Sequence, residues 1–341
     1  MIETKYFIGL DVHVKCTQYA VRSWQGDLVL EGKCSTTYSD VKAVLEPYYC
    51  SCMVGMEACT AFYPLREGFL QDQVQVKIAN VLRIRQLIIK NDVVDARRLS
   101  DMLRLNTFPE SFIPPKEIQV VRDLVGVRHS FLEEVGRVKN RIWATLTRHG
   151  IRIPKRSLFT KKGWSHVTAL LTTPQCPVGL PPLAQHYTHV QTSLAQATIT
   201  MISYTNQQFP KENAKLQSLD GIAAICSAYL IANICPISRF ANEKKLRRYA
   251  GVIPCFHESG GKTFGGTLPK TSSRALLRWA LTQAAHGAIR KKGSTLSLYY
   301  QAKKRKGKQK AVMAVARSLC DKIHQSLSLM CKDVGGESVA L

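Results

Sequence analysis

Four carboxylates stand where the chain could use them for chemistry. Asp11 ends the apolar run "FIGL", Glu57 closes the run "CMVGM", and Asp92 and Asp95 stand three apart in "NDVVDARRL". A helix would place Asp92 and Asp95 on one face. An ionised carboxylate at the end of a buried strand is costly unless a cation accompanies it. Hard oxygen ligands suit Mg²⁺, and two such ions about 4 Å apart can stabilise the attacking and leaving oxygens of a phosphodiester.

The same carboxylates also have an ordinary structural interpretation. Strand-end acids are usually paired with a basic side chain or held by hydrogen bonds. Glu57 could pair with Arg66, and Asp95 could pair with Arg98. The spacing alone leaves the metal site and these ion pairs both open.

The elements that would position Asp11 and Glu57 belong to a mixed α/β domain. Alternating and apolar patterns predict strands at 5–11, 17–23, 28–35, 52–58 and 73–79. Helices are predicted near 39–45 and 60–71. Three strands followed by helix–strand alternation are typical of an α/β sheet.

The rest of the chain is predicted to be mostly helical. Residues 117–148 carry an apolar stripe at near-heptad spacing, which suits either a coiled-coil or bundle interface or one helix packed on its own domain. A proline-punctuated linker and a helix near 186–208 follow. We therefore expect domains at 1–112, 113–215 and 216–335. The third would contain helices near 222–234, 273–289 and 309–331 around the Gly-rich stretch 257–274.

The charge of the chain favours a polyanionic partner. Lys and Arg number 48 against 24 Asp and Glu, so the formal net charge is +24. A positive electrostatic field of this size most simply indicates binding to nucleic acid. The alternative is a basic surface that is merely solvated. The candidate contacts are Arg83, Arg85, Lys90, Arg137, Lys139, Arg141, Arg148, Lys244, Lys245, Arg247, Arg248, Lys262, Lys270 and Arg274, with the basic run 303–310 beside them. Tyr249 and Trp279 could stack on bases or belong to the core.

Neither a secretory signal nor a membrane span is expected. The first residues lack a long apolar core after a basic start. The most apolar later run, 222–237, is short for a span and ends near a proline, so a buried helix is the better interpretation. These features favour a cytoplasmic protein without a membrane partner.

The order of several segments resembles one family along nearly the whole chain. "GLDVH", "GMEACTAFYPL" and "NDVVDARRL" are similar to the amino-terminal domain of insertion-sequence family 110 transposases, which are bacterial DNA recombinases. "SRFANEKKLRRYAGVIPCFHESGGKTFGG", "LLRWALTQAAH" and "KQKAVMAVARSLCDKI" resemble the carboxy-terminal half in the family's order. The resemblance implies a RuvC-type, ribonuclease-H-like domain, a helical coiled-coil-like linker and a mostly helical transposase domain.

The resemblance also implies site residues and partners. Asp11, Glu57, Asp92 and Asp95 would form an Asp-Glu-Asp-Asp site for Mg²⁺, and Ser259 in "HESGG" would be the nucleophile. A noncoding guide RNA would pair with donor and target DNA. Homo-oligomers, as a dimer or as a tetramer on DNA, would complete the active sites. Ser272 and Ser273 are rival hydroxyls.

Two segments depart from the family pattern. Family members commonly carry Pro-Gly-Ile-Gly where this chain has Asp220 and Ala223 in "LDGIA", and an acid there weakens the expected phosphate contact. They commonly carry Gly-Asn where this chain has Ser272 and Ser273.

We therefore expect a transposase that cuts and rejoins DNA through a covalent serine–DNA intermediate. Two alternatives are a metal-dependent nuclease of resolvase type that uses water, and a nucleic-acid-binding protein without catalysis.

Overall fold

The computed structural model describes residues 4–84, 92–259, 262–268 and 275–334. The side chains of 82, 92–94, 255–259, 262–265, 267 and 331–334 also lie outside that description. The chain forms two compact units, Met1–Ile113 and Pro114–Leu341. The further boundary expected between 215 and 216 stays a prediction.

The first unit is built on a five-stranded mixed sheet with the order β3-β2-β1-β4-β5. The strands are β1 (Tyr6–Val12), β2 (Cys16–Ser23), β3 (Leu28–Ser35), β4 (Cys52–Glu57) and β5 (Gln75–Ala79). The first three form an antiparallel meander, and β4 and β5 run parallel to β1. The five predicted strands are therefore confirmed to within about two residues at their ends.

Two groups of helices cover the two faces of this sheet. The helices are α1 (Tyr38–Leu45), α2 (Phe62–Gln71), α3 (Val81–Ile84) and α4 (Asp92–Arg104), with a 3₁₀ segment at Glu46–Ser51. Ile8 and Leu10 on β1 pack with Leu45 of α1 and Phe69 of α2 in one core. The alternating β1 residues face the other way, toward α4, because successive strand residues point to opposite faces.

The second unit contains ten described helices and one described hairpin. The helices are α5 (Lys116–Arg148), α6 (Lys155–Leu158), α7 (Lys161–Leu170), α8 (Leu180–Gln208), α9 (Pro210–Gln217), α10 (Ala224–Ile234), α11 (Glu243–Tyr249), α12 (Ala275–Arg290), α13 (Thr295–Lys303) and α14 (Lys308–Val334). The hairpin is β6 (Cys255–Ser259) with β7 (Lys262–Thr267), and 3₁₀ turns lie at Ile237–Arg239 and Lys304–Lys306.

The long helix α5 packs within its own unit as an antiparallel hairpin with α8. Near its start, Val121 and Val125 share a core with Met201, which lies late in α8. Near its end, Val138 and Ile142 share a second core with residues early in α8. The apolar stripe is thus used inside the unit, as the second of the two interpretations predicted.

A buried guanidinium ties this helical hairpin to α10. Arg128 on α5 is only 7% exposed. Its Nε donates to Thr198 Oγ1 of α8 at 3.0 Å, and its Nη1 donates to the Tyr229 hydroxyl of α10 at 3.1 Å. Burial raises the pKa of the Tyr229 phenol, so it remains a neutral partner for the cation at neutral pH.

The largest core of the second unit lies among α9 to α14. Leu230, Leu281 and Leu319 represent its fully buried apolar side chains. The ring of Trp279 lies 5.0 Å from that of Tyr229, and the ring of Tyr249 lies 5.0 Å from that of Phe240. Both predicted stacking candidates therefore contribute to helix packing.

Several elements differ from the sequence expectation. Helices α6 and α7 lie in the proline-punctuated segment that was predicted to be a linker. Helix α8 begins at Leu180 rather than near 186, because Pro181 and Pro182 occupy its first turn, where a missing N–H breaks no helical hydrogen bond. The Gly-rich stretch, for which no strand was predicted, contains β6 and β7.

Candidate active site

Asp11 and Glu57 lie at the carboxyl ends of two adjacent parallel strands. The register of β1 and β4 pairs Leu10 with Met56, so Asp11 and Glu57 are the next residue on each strand. Adjacent strands lie about 4.8 Å apart, and in-register residues of parallel strands face the same side. The backbone therefore brings these two carboxylates to one edge and one face of the sheet.

That face is covered by α4, which approaches β1 more closely than a side chain would allow. A Cβ on Gly9 would lie 2.0 Å from the Ala96 carbonyl oxygen and 2.6 Å from the Ser100 amide nitrogen. A Cβ on Gly55 of β4 would lie 2.8 Å from Leu103 Cδ1. Gly9 stands two residues before Asp11, and Gly55 stands two residues before Glu57. Residues two apart on a strand point to the same face, so both carboxylates lie on the face on which α4 packs.

The direction of α4 points its acidic start toward Asp11. Its last turns lie near the beginning of β1, since Asp101 Oδ1 is 3.8 Å from Nε of Arg22, the β2 partner of Phe7. Ala96 lies over Gly9, which is further along β1. The helix thus runs antiparallel to β1, and Asp95 lies on the turn that continues toward the Asp11 end of the strand.

The described acids of this edge have close neighbours of their own. The Asp11 side chain is 9% exposed, and its Oδ2 lies 3.1 Å from Nε2 of the half-exposed His13. Asp95 Oδ1 lies 3.6 Å from Arg98 Nη1. The alternative pair of Asp95 with Arg98 is therefore present. The other alternative, a pair of Glu57 with Arg66, stays a prediction.

The donor set fits a hard divalent cation in its chemistry. Asp11, Glu57 and Asp95 supply carboxylate oxygens, and the side chain of Asp92 lies outside the description. Within the described part of the chain, no three His, Cys, Asp or Glu side chains form a complete metal cluster by themselves. The assignment of these residues to a metal site therefore stays a prediction.

Ser259 is the last residue of β6. It pairs with Lys262, the first residue of β7, and the register continues through His257 and Phe264 to Cys255 and Thr267. Only two residues connect the strands, so Ser259 stands at the turn end of the hairpin. Its side chain, and all of Ser272 and Ser273, lie outside the described residues.

Two family models match successive parts of this chain. Residues 8–151 match the IS110-type DEDD model, which is described as "Transposase". Residues 213–301 match the model described as "Transposase IS116/IS110/IS902 family". The chain belongs to the IS110 family of transposases. No curated protein matched this transposase in a sequence search.

The matched segments contain the candidate site residues of the transposase. The first spans Asp11, Glu57, Asp92 and Asp95, and the second spans Ser259. A transposase acts on DNA, so DNA is its substrate, and the positive charge expected to serve nucleic acid agrees with that role.

The predicted nucleic-acid contacts fall into three groups. Exposed and available side chains are Arg83, Arg141, Arg148, Lys244, Lys245 and Arg248. Three others have protein partners: Arg137 bonds Glu134 at 2.6 Å, Arg247 bonds Asp321 at 2.8 Å, and Lys139 Nζ lies 5.1 Å from the centre of the Phe159 ring. The other five candidates lie outside the described residues or side chains: Arg85, Lys90, Lys262, Lys270 and Arg274.

The acidic departure at Asp220 has a local partner. Lys291 Nζ, just after α12, donates to Asp220 Oδ1 at 2.6 Å. Gly221 beside it has φ +88°, and a Cβ there would lie 2.2 Å from the Ala284 carbonyl oxygen. The Asp220 charge is thus balanced within the unit, and Gly221 keeps this turn against α12.

No helix among the described residues is long and apolar enough to cross a membrane. Sequence reasoning missed His13, which comes directly after β1 and lies 3.1 Å from Asp11 Oδ2. The only available signal was its position two residues after Asp11.

Proposed function

We propose that this transposase cuts and rejoins DNA strands with a serine nucleophile, Ser259, and a magnesium site formed by Asp11, Glu57, Asp92 and Asp95. The observation that carries the proposal is the shared edge of the sheet, where β1, β4 and the start of α4 direct acidic residues to one face. Strand-end acids on a mixed sheet covered by such a helix support a RuvC-type, ribonuclease-H-like fold for the first unit.

The first chemical step exchanges one phosphodiester bond for another. Ser259 Oγ forms a bond to the scissile phosphorus, its proton passes to solvent or a nearby base, and one sugar oxygen leaves and takes up a proton. Bound Mg²⁺ would supply charge neutralisation at the phosphate and lower the cost of the serine alkoxide. A hydroxyl from the receiving strand then attacks the phosphoserine and releases Ser259, so rejoining requires no ATP.

The same proposal includes how the DNA is chosen. A noncoding guide RNA of the element would pair with its ends and with the target, in the cytoplasm of a bacterium. The large excess of positive charge supports binding of both nucleic acids. Base pairing would then read the sequence, so the protein would need few base-specific side chains.

A covalent adduct tests the nucleophile. The transposase is incubated with end-labelled element DNA, guide RNA and Mg²⁺, quenched with denaturant, and examined for protein-linked DNA. We expect an adduct whose peptide contains Ser259, and its loss in Ser259→Ala. An adduct that persists in Ser259→Ala contradicts this residue, and Ser272→Ala with Ser273→Ala then tests the rival hydroxyls.

The metal site is tested without relying on strand transfer. Fe²⁺ replaces Mg²⁺, and ascorbate with peroxide then generates radicals that cut the protein backbone near the bound ion. We expect cuts beside Asp11, Glu57 and 92–95, and their loss in Asp11→Asn. Cuts elsewhere contradict the site. Metal-dependent cleavage that leaves no protein-linked DNA would favour the hydrolytic nuclease, and binding without any cleavage would favour the non-catalytic alternative.

Subunit mixing tests the proposed multimer. Asp11→Ala and Ser259→Ala proteins are each inactive in the proposal, but a mixed oligomer would contain one intact acidic edge and one intact serine on different subunits. Recovery of strand transfer on mixing is expected if the active site is shared. Absence of recovery, with mixed oligomers demonstrated by differently tagged chains, contradicts shared sites.

A further inference from the structure

A second candidate site lies within the second unit, at the base of the β6–β7 hairpin. A pocket of about 490 Å³ opens between the hairpin, α13 and α14. Pro254, just before β6, and Gly266 of β7 line it from the hairpin, Tyr299 lines it from α13, and Met313 lines it from α14. This basic pocket is in the size range of small-molecule and nucleotide sites.

Four cations line the basic pocket, and none of its described lining residues is acidic. They are Lys303, Lys306, Lys310 and Arg317. Lys303 Nζ lies 5.5 Å from the centre of the Tyr299 ring, and Arg317 Nη1 donates to the Val252 carbonyl oxygen at 3.2 Å. Two of the cations are therefore held in place, and Lys306 and Lys310 are exposed, so the pocket is suited to an anion.

Part of the lining of the basic pocket is apolar, which narrows the class of anion that it can bind. Leu268, Met313 and Ala314 contribute hydrocarbon surface, and Tyr299 is 38% exposed. A free phosphate or the outer backbone of a duplex would bury little of this surface. An unpaired nucleotide matches both the apolar surface and the cations of the pocket, since its base can pack on an aromatic ring while its phosphates contact Lys and Arg side chains.

We infer that the basic pocket binds an unpaired nucleotide of a single-stranded nucleic acid. The base would lie between Tyr299 and Met313, and the flanking phosphates would contact Lys306 and Lys310. Ser259 stands at the opposite end of β6, about 14 Å away at the rise of an antiparallel strand. The inference goes beyond the proposed function because binding here requires neither Ser259 nor the acidic edge.

A matched pair of variants tests this inference in the full chain. The double variant Lys306→Ala/Lys310→Ala removes two pocket cations. Lys304→Ala/Lys308→Ala removes the same charge from neighbouring exposed positions outside the lining. Binding of fluorescein-labelled dT15, rU15 and a hairpin duplex is measured by anisotropy in EDTA, over a range of salt concentrations.

We expect the pocket variant to bind a single strand at least about 10-fold more weakly. Its salt slope for the single strand should fall by about 1.4, since each lost phosphate contact removes about 0.7. The affinity of the pocket variant for the duplex, and the affinities of the control variant for all three ligands, should change by less than about 3-fold. If the affinity for dT15 falls more, the pocket binds DNA. If the affinity for rU15 falls more, it binds RNA. Equal losses for both variants, or for single strand and duplex, would overturn the inference.

Photo-crosslinking gives a readout at the level of one residue. An oligonucleotide with 5-iodouracil is irradiated with the wild-type transposase, and the crosslinked peptide is sequenced by mass spectrometry. We expect attachment at Tyr299, and its loss in Tyr299→Leu with unchanged thermal unfolding. Crosslinks found only at peptides outside α13, α14 and the hairpin base would contradict the assignment.

Discussion

The acidic edge, which consists of Asp11 and Glu57, and the β6–β7 hairpin that carries Ser259 are held in place in very different ways. Asp11 and Glu57 lie on central strands, β1 and β4, which are each paired on both sides within a five-stranded sheet and covered by helices. Ser259 lies on a two-stranded sheet. A two-stranded hairpin is marginally stable by itself, whereas a packed multi-stranded sheet is stable. The acidic residues therefore have a more rigid support than Ser259, the proposed nucleophile.

The largest effect is expected from changing the charge of the fixed edge. Asp11→Asn keeps the shape of the side chain but removes a hard anionic ligand, so strand transfer should fall by about 10³-fold or more. Mg²⁺ should raise the melting temperature of the wild type, because a ligand that binds only the folded state stabilises it, and should not raise that of Asp11→Asn. Strand-transfer assays and calorimetry with and without Mg²⁺ measure both effects.

Gly126→Gln serves as the comparison variant for that experiment, since this α5 glycine has open space where a side chain would grow. If Asp11→Asn transfers strands at the wild-type rate, the edge is not the metal site. Retained activity would leave only a structural role for Asp11.

The next largest effect is expected from the close approach of α4 to β1. Gly9→Ala would place Cβ 2.0 Å from the Ala96 carbonyl oxygen, so backbone must move, and the free energy of unfolding should fall by about 3 kcal/mol. Urea denaturation of the full chain measures the loss in the transition of the first unit. The moved helix should also weaken Mg²⁺ binding.

Gly136→Ala is the matched control for Gly9→Ala. It lies inside α5 with no atom within 4 Å of the added Cβ, and alanine favours helix by up to about 1 kcal/mol over glycine. Equal destabilisation by the two substitutions would show that the contact of α4 with β1 is not tight in solution.

Hydrogen exchange compares the two regions directly. Amides of β1 and β4 should exchange at least about 10²-fold more slowly than those of β6 and β7, because opening the central strands requires the sheet and its core to open. Mass spectrometry of peptic peptides from the DNA-free transposase measures both. Addition of single-stranded oligonucleotide should slow exchange in β6 and β7 more than in β1. Equal protection without DNA would remove the distinction between a fixed edge and an adaptable hairpin.

The smallest effect concerns an exposed ion pair that holds α4 against β3. Arg97 donates to both carboxylate oxygens of Glu31 at 2.6 Å, and this hydrogen bonding lowers the pKa of Glu31. A lowered pKa in the folded state adds stability above the ordinary glutamate value, near 4.3, that is lost as the pH falls through the folded pKa. Glu31→Gln should therefore lower the melting temperature slightly at pH 7, and this difference should shrink as the pH falls below the ordinary glutamate pKa.

Glu67→Gln is a fitting control for this pair, because its contact with Arg66 is longer, at 3.4 Å, and within one helix. A pH profile of Glu31→Gln parallel to that of the wild type would show that the ion pair does not help to hold α4.

The first unit was predictable from sequence because its signals are local. Apolar runs that stop at Asp11 and Glu57 marked the strand ends, and parallel pairing then follows from the α/β pattern. Gly9 was not predictable as a packing site, since a glycine within a strand is ambiguous until the helix that crosses it is known.

The second unit was less predictable because its features combine distant segments. Residues 255–267 are rich in Gly and short in apolar pattern, so β6 and β7 were missed. Lys303, Lys306 and Arg317 meet in one pocket only through the turn between α13 and α14. The resemblance to the family supplied Ser259, which spacing alone did not distinguish from other loop serines.

The antiparallel pair of α5 and α8 has a consequence for how this protein can vary. Its 33-residue α5 is about 50 Å long at the rise of a helix, and the pair contains separate apolar clusters near its two ends. Among the residues that the structure describes, the cluster around Val138 and Ile142 shares no buried side chain with the core of α9 to α14. Evolution or design can therefore lengthen or shorten the pair of α5 and α8 by the same number of helical turns in each helix. The core of α9 to α14 would stay unchanged.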